Sequence, residues 1–344
     1  MQYGYTEQLA SPLRGRALEE LKALLSKTGL TYVPTVRHTA LVRDPDGAIA
    51  ASASLEGSVI KCVVCDPAHQ GEDLTAVVLT ALRRKALEEG LRHLFLYTKP
   101  ENVPLFSGLG FHEVARAGEA ALMEDRRDGF SSWAESVRIP GASGRIGALV
   151  MNCNPMTLGH RYLTEQAAAR CDLLYIFIVS EDKSAVPAAD RLSLVRASLE
   201  GMPNISVTGT GMYLISSATF PDYFLKDKAH SGQVWTGLDA AVFFRLARQL
   251  GINCRFVGSE PFCPVTAAYN RTLSQVLPRH GIELLELPRL ERDGTAISAT
   301  AVRKLVQSGR WTDIRPLVPL PVYEWFARED NRARFLSRAS DISA

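Results

Sequence analysis

The chain has 344 residues, a net charge of +2, 46% hydrophobic and 22% charged residues. That length suits two ordinary domains, and the balance is that of a globular protein. It gives no basic excess for nucleic acid or a membrane surface, no apolar run able to cross a bilayer, and no charged-then-apolar leader pattern. Six scattered cysteines argue against a disulfide scaffold, so the cytoplasm is the expected compartment.

In chain order, "LKALLSKTGL" predicts a helix with a glycine stop. "HTALVRDPDGAIAASASLEGSVIKCVVCD" predicts strands joined by a hairpin at Asp-Pro-Asp-Gly. Within it, Cys62 and Cys65 fall on a strand whose alternation sends the two thiols to opposite faces, against a metal or redox pair. "DLTAVVLTALRRKALEEG" predicts a long amphipathic helix ended by Gly90, followed by strand "LRHLFLYTK" and a short helix and turn in "ENVPLFSGLGF". This half, residues 1–135, is expected to be α+β. "SVRIPGASGR" (136–145) lacks periodicity and reads as a linker.

From 146 to 344 the pattern changes. Strand "GALVMNC", helix "GHRYLTEQAAAR", strand "LLYIFIVS", helix "DRLSLVRASLE" and strand "ISVTG" alternate. A helix capped by Asp239, strand "CRFVGS", helix "VTAAYNRTLSQVL", strand "IELLEL" and helix "SATAVRKLVQSG", capped by Ser298 and stopped by Gly309, complete the series. Such βα alternation predicts a doubly wound parallel sheet with its site at the C-terminal strand ends.

Two helix starts in this half suit an anion, because their first amides are unpaired donors at the positive end of the helix dipole. At the first, Thr157 and His160 carry side-chain donors and Gly159 allows close approach of phosphate to backbone. At the second, Ser298 and Thr300 precede Arg303 by a spacing that lets hydroxyls and guanidinium converge. Lys183 and Arg191 lie between, after the second strand. For His160 the plain alternative is packing in the first turn, for Ser298 a simple cap, and for Lys183 and Arg191 ordinary surface charge. Asp239 and Glu260 follow apparent strands at the same sheet edge, where a ligand or a metal would be met, Asp239 reading equally as a cap. Tyr269 and Asn270 suit either a small-ligand pocket or helix packing.

Asn154-Pro155-x-Thr157-x-Gly159-His160, with Ile297-Ser298-x-Thr300-x-x-Arg303 about 140 residues on, resembles the nucleotidyltransferase superfamily and its (H/T)xGH and ISxTxxR signatures. Thr157 stands where His is commoner. "NCNPMTLGHRYLTEQAA", "FPDYFLKD", "TGLDAAVF" and "RFVGSEPFCPVTAAYN" resemble the citrate lyase ligase family over nearly the whole chain. The resemblance implies a Rossmann-like ligase domain that activates acetate with ATP and Mg²⁺ as acetyl-AMP. It also implies transfer to the dephospho-CoA-type thiol of the citrate lyase acyl carrier subunit. In that reading His160, Thr157, Lys183 and Arg303 are catalytic. Asn154, Gly159, Ser298, Thr300 and Arg191 bind ATP and its phosphates, and no protein metal site is implied.

The first half resembles the GNAT acetyltransferase fold through "VVCDPAHQGEDLTAVV" and "LFLYTKPENVPLFSGLGF". Gln70-Gly71 match the family's pyrophosphate turn, but Asp73 and Thr75 replace glycine and a small residue, and Glu72 and Asp73 bring unfavourable charge. Phe106 stands where the family often has a tyrosine acid, and without a phenol it cannot protonate a thiolate. This half therefore reads as degenerate, holding part of a pantetheine arm or the partner rather than transferring acyl groups, or serving only as structure. The competing functions are an adenylyltransferase acting on a phosphate acceptor such as phosphopantetheine or a mononucleotide, an acetyl-CoA-dependent enzyme, and a nucleotide-sensing scaffold.

Overall fold

The computed structural model describes residues 4–214, 231–259, 264–292 and 294–343. Residues up to Phe130, with a segment ending at Ala241, form one compact unit; the remainder between Ser131 and Ala344 forms the second. The division falls inside the helix Gly129–Val137, ahead of the boundary expected at 135, and that helix absorbs Ser136 and Val137 of the expected linker.

In the first unit the order is β1 (Thr6–Ala10), α1 (Gly15–Lys27), β2 (His38–Arg43), β3 (Ile49–Glu56), β4 (Val59–Cys65) and α2 (Leu74–Glu88). β5 (Phe95–Thr98), α3 (Val103–Gly108), β6 (His112–Ala117), β7 (Ala120–Glu124) and the start of α4 (Gly129–Val137) follow. Seven strands make one sheet, β1-β2-β3-β4-β5-β7-β6. Its pairs are antiparallel except β4–β5, which is parallel and joined only at Val59↔Phe95 and Ile60↔Leu96. Beyond Ile60 the two strands separate.

A bulge at Cys62 (φ 52°) helps reverse the facing of β4. Cys62 and Val64 then pack with α1 residues Leu21, Leu24 and Leu25, while Val63 and Cys65 pack on the opposite core with Val78 and Leu82 of α2. The two thiols thus lie on opposite faces as expected. The five described cysteines are free thiols.

The second unit runs β8 (Ile146–Met151), α5 (Leu158–Ala168), β9 (Leu173–Ile178), α6 (Ala188–Ser198) and β10 (Ile205–Gly209). Helix α7 (Ser231–Leu250) begins in the first unit and continues to β11 (Cys254–Gly258), α8 (Pro264–Val276) and β12 (Glu283–Leu287). A short hairpin, β13 (Glu291–Arg292) and β14 (Thr295–Ala296), leads to α9 (Ala299–Gln307), α10 (Leu320–Ala327) and α11 (Glu329–Ser343). The strands order as β10-β9-β8-β11-β12, all parallel. This is the expected doubly wound sheet, and the order reverses between β8 and β11.

β8 and β11 pair only at Cys254↔Gly147 and Arg255↔Ala148, near their N-terminal ends, so a crevice opens toward the C-terminal ends. Gly147 permits even this pairing, since a β-carbon there would meet the Phe256 ring at 2.6 Å. One core joins Leu149, Ile176 and Phe256 of the sheet to Val302, Val306, Val322, Phe326 and Phe335 of the last three helices.

Three sequence expectations change. Asp239 is not a cap: it is buried within α7, which starts at Ser231 because Val234, Trp235 and Leu238 continue the apolar face upstream. The strand expected over 91–99 is only Phe95–Thr98. Helices α10 and α11 follow the helix read as the last, their apolar residues having no interpretable stripe until Trp325, Phe326 and Phe335 find the core.

Candidate active site

The Asn152–Met156 loop leaves β8 with Cys153 at φ 48° and a cis Asn154-Pro155 bond, then enters α5 at Thr157. Thr157 and His160 form a reciprocal cap. The Thr157 hydroxyl oxygen accepts the His160 amide at 3.3 Å, and His160 Nδ1 accepts the Thr157 amide at 3.0 Å. Because Nδ1 is the acceptor, the neutral ring carries its proton on Nε2, which becomes a hydrogen-bond donor. Burial, and then the Arg289 charge, lower the His160 pKa from 6.5 to about 4, so the ring is neutral at physiological pH.

Thr157 is buried and fixes this ring, rather than presenting a hydroxyl to phosphate as the sequence suggested. The Leu158 amide is also engaged, donating to the Leu317 carbonyl at 2.9 Å. Gly159 has a role that the sequence did not reveal. A β-carbon at this position would lie 2.8 Å from the Ile297 carbonyl oxygen, so glycine makes room for the backbone of the second motif.

The second motif starts α9. Ser298 is the expected cap, its hydroxyl accepting the Ala301 amide at 3.2 Å. Arg303, half-buried, donates through Nη1 to the Asn154 carbonyl at 2.7 Å and through Nη2 to the exposed Thr300 hydroxyl at 3.0 Å. Burial pulls its guanidinium below the usual arginine range without discharging it. The Asn154 side chain in turn accepts the Val186 amide at 2.9 Å. Asn154, Gly159, His160, Ser298, Thr300 and Arg303 are therefore brought to one edge of the sheet.

Arg191 is corrected from phosphate ligand to internal clamp. It is buried, donating to the Val186 carbonyl at 3.1 Å, the Asn152 carbonyl at 2.8 Å and the Glu181 carbonyl. These bonds tie the β9–α6 loop to the β8–α5 loop. Lys183 lies on the tied loop, half-exposed, with its ammonium 3.8 Å from Glu181. Arg338 of α11 holds the same loop through the carbonyls of Ser184 (3.0 Å) and Asp182 (2.6 Å).

Sequence reading missed Arg338, since α11 was unseen, and Arg289, which follows β12 and donates to the Ser259 carbonyl at 2.7 Å. The only signal for Arg289 was its place after a strand at the sheet's C-terminal edge. Asn270 donates to the Gly258 carbonyl at the end of β11 (3.1 Å), and the Tyr269 hydroxyl accepts from buried Arg255 (2.6 Å). Glu260 lies outside the described residues. Among the described residues, no cluster of three His, Cys, Asp or Glu side chains could hold a metal.

In the first unit, the separation of β4 and β5 opens a cavity of about 510 Å³ lined by Val63, Cys65, Leu74, Tyr97, Asn102 and Phe106, among others. Burial raises the Cys65 thiol, which disfavours a thiolate there. At its mouth Gly71 has φ 91°, while Asp73 adopts a left-handed φ of 54° where glycine is at ease. Glu72 is engaged by the Tyr5 hydroxyl, whose pKa that bond pushes up to about 12. Phe106 is buried against Phe111.

The parallel doubly wound sheet brings Thr-x-Gly-His and Ile-Ser-x-Thr-x-x-Arg together at its C-terminal edge, an arrangement that resembles the nucleotidyltransferases. The citrate lyase ligase C-terminal domain family matches residues 146–326. The chain is 41% identical to the citrate (pro-3S)-lyase ligase of Klebsiella pneumoniae, over 81% of this chain and 84% of that one. It is 38% identical to the Escherichia coli K12 ligase over 93% and 94%, and 34% identical to the Haemophilus influenzae ligase over 91% and 96%. The chain belongs to the citrate lyase ligase family, whose named members are acid–thiol ligases.

Proposed function

We propose that the second unit activates acetate with MgATP and acetylates the prosthetic-group thiol of a citrate lyase acyl carrier subunit, in the cytoplasm. Acetate is a poor acyl donor because its leaving group would be oxide. Its carboxylate attacks the α-phosphorus of ATP, the bond to pyrophosphate breaks, and acetyl-AMP forms. The carrier thiolate then attacks the acetyl carbonyl and AMP leaves with the bonding pair, giving the thioester. The first step needs in-line placement and neutralisation of charge moving onto pyrophosphate.

In this reading the His160 Nε2–H donates to a phosphate oxygen as a neutral group. Arg303 and Lys183 supply positive charge, and the start of α9 with Ser298 and Thr300 receives the outer phosphates. Asn154 and Gly159 shape the floor, and Thr157 holds the histidine. Mg²⁺ enters with the nucleotide as part of the substrate. The first unit is read as a degenerate acetyltransferase-like domain, placed at residues 1–135 by the sequence, whose cleft suits part of a pantetheine arm.

The observation that carries the reading is the meeting of the two motifs, Arg303 on the Asn154 carbonyl and Ile297 against Gly159. The test incubates the protein with ATP, Mg²⁺ and labelled acetate, then measures acetyl-AMP and pyrophosphate. Strict dependence on acetate is expected. Pyrophosphate release that depends instead on a phosphate monoester would assign an adenylyltransferase, and turnover of acetyl-CoA without ATP would move the chemistry to the first unit.

A further inference from the structure

Beside the crevice, the second unit carries a cationic aromatic face. The half-buried rings of Trp311 and Tyr323 lie 5.8 Å apart, tilted by 33°. The Arg332 guanidinium sits 4.5 Å over Trp311, and Arg315 sits 5.5 Å over Tyr323. Arg332 is further fixed by the carbonyls of Phe326 and Ala327, at 2.6 and 2.7 Å. Lys304 and Arg315 are exposed. From Arg303 to Arg315 the chain bears Arg303, Lys304, Arg310 and Arg315 against one acid, Asp313, which Arg310 holds at 2.7 Å. This is a local concentration in a chain whose net charge is only +2, and the stretch that carries Tyr323 and Arg332 adds Arg328 with the acids Glu324, Glu329 and Asp330.

The face is continuous with the site. The next residues after Arg315 are Pro316, whose carbonyl accepts from Arg292 at 3.2 Å, and Leu317, whose carbonyl holds the Leu158 amide at the start of α5. Lys304 follows Arg303 directly on α9. A thiol delivered on an arm reaches the crevice only if the root of that arm rests near its rim. Any phosphate-linked arm is anionic at its root. Guanidinium groups held on aromatic rings are ordered beforehand, so they lose little conformational entropy when they bind. Exposed cations at a rim also steer an anionic partner and raise its association rate.

We propose that the Lys304, Trp311, Arg315, Tyr323 and Arg332 face docks the thiol-bearing carrier, through the anionic phosphate-linked root of its arm. The proposal rests on the ligase reading above. Its test is the Lys304→Glu, Arg315→Glu double variant, with folding checked by circular dichroism. Acetate-dependent ATP–pyrophosphate exchange should remain within about two-fold of wild type. The carrier KM should rise at least about ten-fold with little change in kcat, and its dependence on salt should flatten. Acetyl transfer to a small uncharged thiol, cysteamine capped at its amine, should be unchanged.

An unchanged carrier KM overturns the docking surface while leaving the ligase reading intact. Loss of exchange in the variant also overturns it, by assigning these cations to the nucleotide. Absence of exchange in the wild type removes the ligase reading, and the docking proposal with it.

Discussion

The Ile297 carbonyl oxygen lies 2.8 Å from where a β-carbon on Gly159 would stand. Two segments far apart in the chain therefore meet backbone to backbone, and one hydrogen atom decides whether they can. The opposing group is a carbonyl in the main chain entering α9, so it cannot swing away as a flexible side chain would. Gly159→Ala should displace the start of α9 and lower kcat for acetyl-AMP formation by roughly a hundred-fold, with a stability loss of about 1–3 kcal/mol. Thermal unfolding and single-turnover adenylation measure the two effects.

Arg303 bridges the Asn154 carbonyl and the Thr300 hydroxyl with two different nitrogens. Lysine keeps the charge but cannot span both acceptors in a fixed fork. Arg303→Lys should therefore recover little of the activity that Arg303→Met loses. Removing one such donor should cost roughly 3–4 kcal/mol in the barrier. Recovery of wild-type kcat by lysine would show that charge alone matters.

Arg191 stands apart from this pair despite its charge. Its guanidinium serves three backbone carbonyls inside the protein. Arg191→Met should destabilise the fold by roughly 2–4 kcal/mol because those acceptors lose their partners. The folded fraction, measured well below the unfolding temperature, should keep a KM for ATP within a few-fold of wild type, because Arg338 still holds the Lys183 loop. A raised KM with unchanged stability would return Arg191 to the phosphate site.

His160 has its pKa lowered to about 4, chiefly by burial. It should contribute no protonation limb to kcat/KM between about pH 5 and 8. In the unfolded chain the ring binds its proton near pH 6.5, before the folded protein does. Its stabilising contribution is thus complete above that pH and is lost as pH falls toward 4. Comparing wild type with His160→Gln should reveal an extra loss of roughly 1–3 kcal/mol across that window in the wild type alone. Chemical denaturation at stepped pH provides the measurement.

The residues of the candidate site were legible because their spacing follows local rules. Ser298 caps α9, and the apolar β8 and β9 runs announce strands buried on both faces. Thr157 and Gly159 stand at the helix start that the sequence singled out, where one holds the His160 ring and the other faces the Ile297 carbonyl. A hydroxyl before a helix is visible in one dimension, whereas the ring that Thr157 holds and the carbonyl that Gly159 faces are not. Asp239 was misplaced because a polar residue before an apolar run resembles a cap until packing extends the helix past it.

By itself, the amino-acid order determined the βα alternation, the two helix starts and the opposed facing of Cys62 and Cys65, all consequences of periods of two and 3.6 residues acting over short distances. Only the tertiary structure decided that Arg191 turns inward while Arg303 reaches the β8 loop, and that α10 and α11 close the core and brace the Lys183 loop. An isolated arginine carries the same charge in either place. Which carbonyls surround it, and how far water is excluded, depends on contacts that residues make across the whole chain.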